Sequence, residues 1–462
     1  MLTSFAFFTL LLVCFFSIDD LFVDLWAFVK RLGPKEISND ELQALRALPE
    51  KNIAIIVANW QEADVIARMV AGNLKRIDYT NYHFFLGVYP NDIATALAVQ
   101  SVAAAFPKQV HVVENSRPGP TVKGQMLNQI VQQVLREEDR MGLKFDVFLM
   151  HDSEDILHPL SLRVINAEIA KTDFLQIPVF SFDRPIKQWV GSTYIDEFAE
   201  IHTKELFVRQ SMGAAVPSAG VGTAIQRRLM LTLMKDNNLN FLREDSLTED
   251  YILGMSSASK GFQTSFCCYY VRNQDGKKDF IATREFFPNR FSAAVRQKTR
   301  WIVGIVLQGT QLIPWTGNFA HKYFLYRDRR GPINNFVAMC TTLLTTYVLS
   351  YYFWRHLLPE FMFTWWFHVG SVIATTGMIS RIYHRLKAVI VVNGWKKAWA
   401  VLLRWPVGNL INFVASVRAL RQFLTSTVLK RQIQWVKTTH ELPEGFGQSD
   451  DAQARKDDLH VD

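Results

Sequence analysis

The chain has 462 residues, of which 49% are hydrophobic, 13% aromatic and 20% charged, with a net charge of +8. That leaves room for a large core and a second module, and it is hydrophobic for a soluble protein yet too charged for one buried wholly in lipid. The Lys and Arg residues sit beside apolar runs, as at Lys30-Arg31, Arg327–Arg330 and Arg381–Lys387, and form no single basic face; nucleic acid is therefore not an expected partner, whereas membrane lipid is.

From Met1 to Ile18 there is no charge, and an amphipathic stretch continues to Val29. A basic leader and a small-residue cleavage site are both missing, so residues 1–30 read as an uncleaved transmembrane anchor. Residues 50–290 then alternate short β-rich runs with helical patterns. Strands are expected at Ile53–Ala58, His83–Tyr89, Val110–Glu114 and Asp146–His151, with helices near 62–76, 93–106 and 122–139. Continuous apolar strands between helices imply a mostly parallel, doubly wound α/β sheet covered on both faces. Ligands bind such sheets beyond the carboxyl ends of the strands. Polar residues stand there in turn: Gln61 and Glu62, Asn91 and Asp92, Arg117–Thr121 with Lys123, and His151–Asp155.

Three constellations carry chemistry. Asp152-Ser153-Glu154-Asp155 crowds three carboxylates after an apolar strand, which suits Mg²⁺ or Mn²⁺ holding nucleotide phosphates, or else the acidic start of a helix. Thr248-Glu249-Asp250 offers a general base, or a capped first helical turn. Gln297-Lys298-Thr299-Arg300-Trp301 offers a guanidinium for a diphosphate and an indole for a sugar, or an interfacial helix with an anchoring Trp.

Beyond an interfacial stretch over 291–330, Ile333–Trp354 and Phe361–Ser380 are long enough to cross about 30 Å of hydrocarbon and are expected to form a transmembrane hairpin. The basic clusters flanking the spans share one side if the middle domain and the C-terminus are cytosolic. Arg404 and Pro406 interrupt the next apolar run, so residues 381–440 are expected to hold interfacial or re-entrant helices. The polar residues 446–462 are expected to be disordered. The four cysteines have no metal-site or disulfide spacing.

The ordered set Glu62, Asp92, DSED, TED and Q-x-x-R-W, followed by a hairpin, resembles the family 2 glycosyltransferases, which include processive synthases of the cellulose, chitin and hyaluronan type. A narrower resemblance, to the NfrB-like inner-membrane glycosyltransferases of a phage-adsorption and exopolysaccharide-export system, rests on GVYPND, RPGPT, HDSEDILHPLSLR, TYIDEF, VPSAGVGT, SLTEDY, REFFPNRFSAAVRQKTRWIVGIVLQG and WVKTTH, across roughly residues 15–440. The resemblance implies a GT-A type domain. It places Asp92, with Glu62, at the donor nucleoside, Asp152 and Glu154 at a D-x-D-like metal and diphosphate site with Mg²⁺ or Mn²⁺, and Lys123 at the diphosphate. Asp250, beside Glu249, takes the place of the catalytic base, and Gln297, Arg300 and Trp301 that of the set covering diphosphate and acceptor sugar.

What this implies is an inverting transferase, multi-pass in a bacterial inner membrane, that moves sugar from a nucleotide donor (UDP is the expected nucleotide) to a growing polysaccharide, with an outer-membrane export or receptor protein as a candidate partner. The competing readings are a catalytically inactive membrane scaffold or phage-receptor component, and a non-processive transferase with a lipid-linked acceptor. The chain departs from the family pattern at Ala58–Glu62, at Glu154 where a second Asp is usual, at Ile252 after TEDY, and in a shortened segment near 273–279. Larger relatives continue into a nucleotide-sensing domain; because the sequence ends at Asp462, regulation through such a domain in cis is not expected.

Overall fold

The computed structural model describes residues 2–185, 187–354, 364–429 and 441–447. The expected hairpin connector at 355–360, the WVKTTH stretch at 435–440 and the tail beyond 447 lie outside these described residues.

Seven strands form the central sheet: β1 (Ile53–Ala58), β2 (Tyr82–Val88), β3 (Val110–Glu114), β4 (Val147–His151), β5 (Phe174–Gln176), β6 (Thr223–Gln226) and β7 (Thr264–Phe266). Their spatial order is β7-β5-β6-β4-β1-β2-β3. All neighbours run parallel except β6, which is antiparallel to both β4 and β5. The helices that bear on the site are α1 (Leu2–Val29), α2 (Ile66–Arg76), α3 (Ile93–Ala105), α4 (Lys123–Met141), α5 (Trp189–Glu200), α6 (Glu249–Ser259), α7 (Phe291–Trp301), α8 (Phe319–Arg329), α9 (Gly331–Trp354), α10 (Trp365–Asn393) and α11 (Val401–Leu429).

The apolar strands behave as a sheet covered on both faces requires. On one face Ile53, Ile55 and Val57 pack with Ile66, Met69 and Val70 of α2. On the other, Ala54 and Ile56 meet Met126, Leu127 and Ile130 of α4. Period-2 alternation therefore sends alternate residues of one apolar run into two separate cores, and each large side chain so buried contributes about 1.5–3 kcal/mol. The doubly wound, mostly parallel sheet expected from the sequence is the one observed. Helix ends follow local chemistry: the Asp92 side chain caps α3, and α4 stops at Gly142 in the left-handed conformation.

Around this domain the long helices make a second module. One helical segment among the described residues, Thr3–Val29, is long and apolar enough to cross a membrane by length and composition. α9 is helical over the first run expected to span, α10 covers the second from Trp365 onward, and α1 packs against both. The shared contact is apolar at one end, where Ala6 and Leu10 meet Leu344 and Phe367. It is ionic at the other, where Asp19 and Asp20 meet Arg327, Arg330 and Arg381.

Two details differ from expectation. α10 continues unbroken past Ser380, through Arg381–Lys387, to Asn393. α11 is one helix, with Pro406 inside it. Pro406 lies in the second turn, where its missing N–H removes a single bond near the helix start. The Arg404 charge is met by Asp196 of α5 through hydrogen bonds of 2.9 and 2.5 Å. α11 also packs along α5, α7 and α9, joining the sheet domain to the long helices.

The Arg404 and Asp196 side chains are 4% and 5% exposed. Removing one partner leaves an uncompensated buried charge, so Arg404→Ala is expected to destabilise the fold by about 3–5 kcal/mol, read as a lowered thermal unfolding midpoint in detergent; an unchanged midpoint would show that the pair does not join the two modules.

Candidate active site

Four loops follow the carboxyl ends of β1 to β4, and charges from α6 and α7 act on the groups they carry. The loop after β4 is built around a buried acid. Asp155 Oδ2 accepts the Asp152 N–H at 2.8 Å and lies 2.8 Å from His151 Nδ1. The Ser153 hydroxyl donates to Asn59 Oδ1 at 2.8 Å, stapling this loop to the end of β1. Asp155 thus shapes the turn, and the Asp152 carboxylate, 32% exposed, has the Lys123 ammonium 2.5 Å away.

Lys123 is the first residue of α4, whose start carries no side-chain cap, so the helix dipole adds positive potential at the same point. Gly124 brings that turn against α6: a Cβ there would lie 3.3 Å from Glu249 Cγ. Burial works against the Lys123 charge, but the fields of Asp152, Glu249 and Asp250 outweigh it and hold the ammonium above its ordinary range. On the acidic side, burial and then the Asp250 charge push Glu249 up to about 7, against the pull of Lys123 and Arg300. Burial also raises Asp250, with Lys123 and Arg300 opposing it.

Asp250 Oδ1 accepts the Tyr251 N–H at 2.7 Å. Its other oxygen rests against Gly220, at φ +83°, where a Cβ would sit 2.5 Å from Oδ2. No side chain fits between that loop and the carboxylate, which accounts for glycine at this position of the VPSAGVGT stretch.

α7 has two faces. Ala294, Val295, Lys298 and Thr299 are buried, and Lys298 Nζ reaches Glu197 of α5 at 2.6 Å and Asn412 of α11 at 2.8 Å. The other face carries Gln297 and Arg300, whose Oε1 and Nε are buried without a hydrogen-bond partner among the described residues. Trp301 is half-buried, edge-on to Tyr194 with ring centres 6.1 Å apart. A π-helical segment, Ile302–Gln308, follows directly. A Cβ on its Gly304 would strike Thr248 Oγ1 at 2.3 Å, and Gln308 accepts the Leu247 N–H at 3.0 Å. The turn that follows Q-x-x-R-W is therefore packed directly on the T-E-D turn.

Glu62 and Asp92 are buried at the ends of β1 and β2. Asp92 Oδ2 accepts the Gln61 N–H at 2.5 Å, holding Gln61 at φ +56°, and Oδ1 accepts from Thr95 at 3.4 Å. The Glu62 N–H donates to Thr95 Oγ1 at 2.9 Å. Sequence reasoning missed the aromatic corner beside them. Trp60 stands edge-on to Tyr89 at 5.2 Å, Gly119 is pressed against both rings, and Asn91 is bonded to the Gly119 N–H and carbonyl at 2.6 and 2.7 Å. An aromatic residue in the polar loop after β1 was the available signal. Glu285 was also missed. It ends a short strand, Thr283–Glu285, paired with Val179–Ser181 and Ile156–Leu157. Burial, then the charges of Asp155, Glu154 and Asp152, raise it well above the carboxylate range. Distance along the chain hid it.

Among the described residues no group of three or more His, Cys, Asp or Glu is placed to hold a metal ion. Asp152, Glu154 and Glu285 are hard oxygen donors whose mutual repulsion a cation would relieve. Mg²⁺ commonly binds through one or two carboxylates and completes its shell with phosphate oxygens and water, so the donor set fits a metal delivered with a nucleotide.

Residues 49–304 match the family described as "Glycosyltransferase like family 2". The chain is 36% identical over 469 aligned residues to bacteriophage adsorption protein B of Escherichia coli (strain K12), covering 95% of this chain and 62% of the relative. Bacteriophage N4 adsorption protein B of Escherichia coli O157:H7 matches to the same extent. The chain thus spans 62% of the length of these curated relatives. In structure it is similar to the mannosyltransferase PcManGT from Pyrobaculum calidifontis, solved in complex with GDP-Man and Mn²⁺, with a TM-score of 0.55, 14% identity, and coverage of 91% of this chain and 99% of that one. At that identity the likeness establishes the GT-A fold.

Gly220→Ala should push the Asp250 carboxylate out of place while leaving the sheet intact. We expect turnover to fall by about 100-fold with an unaltered circular dichroism spectrum; wild-type turnover would separate Gly220 from the site.

Proposed function

This chain belongs to the glycosyltransferase-like family 2, and on that footing we propose that it transfers a sugar, with inversion at the anomeric carbon, from a nucleotide donor to a growing polysaccharide at a membrane surface. The observation that carries the proposal is that the charges of Lys123, Asp152, Glu249, Asp250 and Arg300 are close enough to act on one another, although they come from four separate segments.

In this reading the nucleoside lies along the β1 and β2 loops, where Trp60 and Tyr89 offer ring faces and Asp92 and Glu62 shape the loop. The diphosphate lies over the start of α4, against Lys123. Asp152 and Glu154 would hold a Mg²⁺ or Mn²⁺ arriving with the donor, which would supply Lewis-acid stabilisation of the departing charge. Asp250 takes the proton of the acceptor hydroxyl, the acceptor oxygen attacks the anomeric carbon, and the bond to the diphosphate oxygen breaks. Lys123 and Arg300 neutralise the nucleoside diphosphate as it leaves. Gln297 and Trp301 face the acceptor side, with Gln297 Oε1 ready to take a sugar hydroxyl.

The apolar α1 and the exposed Trp365, Val369, Val372, Ile379, Leu343 and Leu349 on α9 and α10 support embedding in a membrane. The ion pairs of Arg327, Arg330 and Arg381 with Asp19 and Asp20 bring basic clusters from separate segments to one level, which supports a multi-pass inner-membrane protein with a cytosolic catalytic domain. Export of the polymer would then use an outer-membrane partner. Product length distinguishes polysaccharide growth from a single transfer to a lipid-linked acceptor.

Asp250→Asn should abolish sugar transfer while binding of a UDP-sugar, or of another nucleotide sugar from a panel, with Mg²⁺ or Mn²⁺ persists in calorimetry; residual transfer above about 1% of wild type would remove Asp250 as the base, and no binding of any donor by the wild-type chain would favour a scaffold. The base works only when ionised, and burial raises the Asp250 carboxyl above its ordinary value. Transfer should therefore fall as pH is lowered through a range above that of an exposed aspartate; a rate that stays flat down to the ordinary carboxylate range would contradict the assignment.

A further inference from the structure

We propose that Asp328, acting through Tyr251, is a positioning residue for the catalytic base Asp250 and couples that base to the apolar N-terminal helix. The inference rests on the reading of Asp250 given above.

Tyr251 follows the base directly, and its N–H donates to Asp250 Oδ1 at 2.7 Å. Its ring is buried in an apolar cluster with Ala215, Ile252, Met255, Ile313 and Leu325, where a phenyl ring would pack equally well. The hydroxyl nevertheless reaches out of α6 to donate to Asp328 Oδ2 of α8 at 2.6 Å. Asp328 cannot swing away, because Arg209 grips both of its oxygens at 2.8 and 3.0 Å. Arg209 is itself fixed by donating to the Ala215 carbonyl at 2.5 Å and by lying over the Phe324 ring. A hydroxyl bonded to a carboxylate held in this fork fixes the azimuth of the first turn of α6, and with it the direction of the Asp250 side chain.

The residue before Asp328 faces another way. Arg327 pairs with Asp19 and Asp20 of α1, Tyr323 donates to Asp19 at 2.7 Å, and Arg330 reaches Asp19 and Asp20 at 2.6 and 2.5 Å. Two consecutive residues of α8 thus hold α1 on one side and the base-bearing helix on the other. α8 is a rigid link between the apolar helix and the group that takes the acceptor proton, so the base is aimed correctly only while α1 is docked.

The test uses the full chain in detergent or lipid. Tyr251→Phe removes one hydroxyl, leaves the Arg209–Asp328 pair intact and keeps the ring. We expect kcat to fall between about 10- and 100-fold, with the donor KM, donor binding and thermal midpoint unchanged. The double variant Asp19→Asn, Asp20→Asn should lower kcat in the same way at unchanged donor KM. Wild-type kcat in Tyr251→Phe would overturn the positioning role, as would a loss explained wholly by unfolded protein; wild-type kcat in the double variant would overturn the coupling to α1. Asp250→Asn is run alongside: if it keeps transfer, the base assignment falls and the inference with it, whereas an inert Asp250→Asn beside an active Tyr251→Phe overturns only the positioning.

Discussion

A crowd of carboxylates in a half-buried cleft can persist only if cations offset their repulsion, and Lys123 is the cation on which the site depends. It sits against Asp152 and its field reaches Glu249, Asp250 and Glu285. At an effective dielectric of about 20 a close pair such as Lys123 with Asp152 has a Coulomb attraction of a few kcal/mol, and the uncapped start of α4 adds to the positive potential that offsets the repulsion among the acids. Arg300 adds a second positive charge from the far side. The resulting field is well suited to a substrate that brings negative charge in as a diphosphate and leaves with it.

The same constraint explains the architecture around the cleft. Among the described residues Gln297 Oε1 and Arg300 Nε have no hydrogen-bond partner, while the charges behind them are paired. Lys298 lies between Gln297 and Arg300 in sequence but on the buried face of α7, where its bonds to Glu197 and Asn412 fix the helix. Arg404 with Asp196, and Arg209 with Asp328, do the same for α11 and α6. Each is a pair with a buried arginine that ties elements beside the candidate site to the helices packed around the sheet domain.

Much of the fold was legible in the sequence because one signal dominates a parallel sheet. IAIIVA and DVFLMH can be stable only as strands covered on both sides, and the polar residues after them then have to lie at the carboxyl edge. The three constellations were legible as chemistry for the same reason, since carboxylates and guanidinia are costly to bury without purpose. Asp155 was less readable: it sits in the same DSED run as Asp152, but packing turns it inward to His151 while Asp152 faces Lys123. Trp60, Tyr89 and Glu285 went unseen because their neighbours are distant in the chain. Arg404 and Pro406 suggested a break in α11 because a lone charge and a proline do disfavour a helix, and only the partner Asp196 removes the objection.

The sequence by itself determined the sheet, the apolar helix α1 and the identity of the reactive groups, because hydrophobic periodicity and side-chain chemistry are local properties. Tertiary structure alone decided which acids come together, which cations answer them and which residues hold the helix that carries Asp250. Those outcomes depend on electrostatic pairs between residues far apart in the chain, such as Lys123 with Asp152 and Tyr251 with Asp328, and a pair energy exists only once folding has brought both partners within a few ångströms.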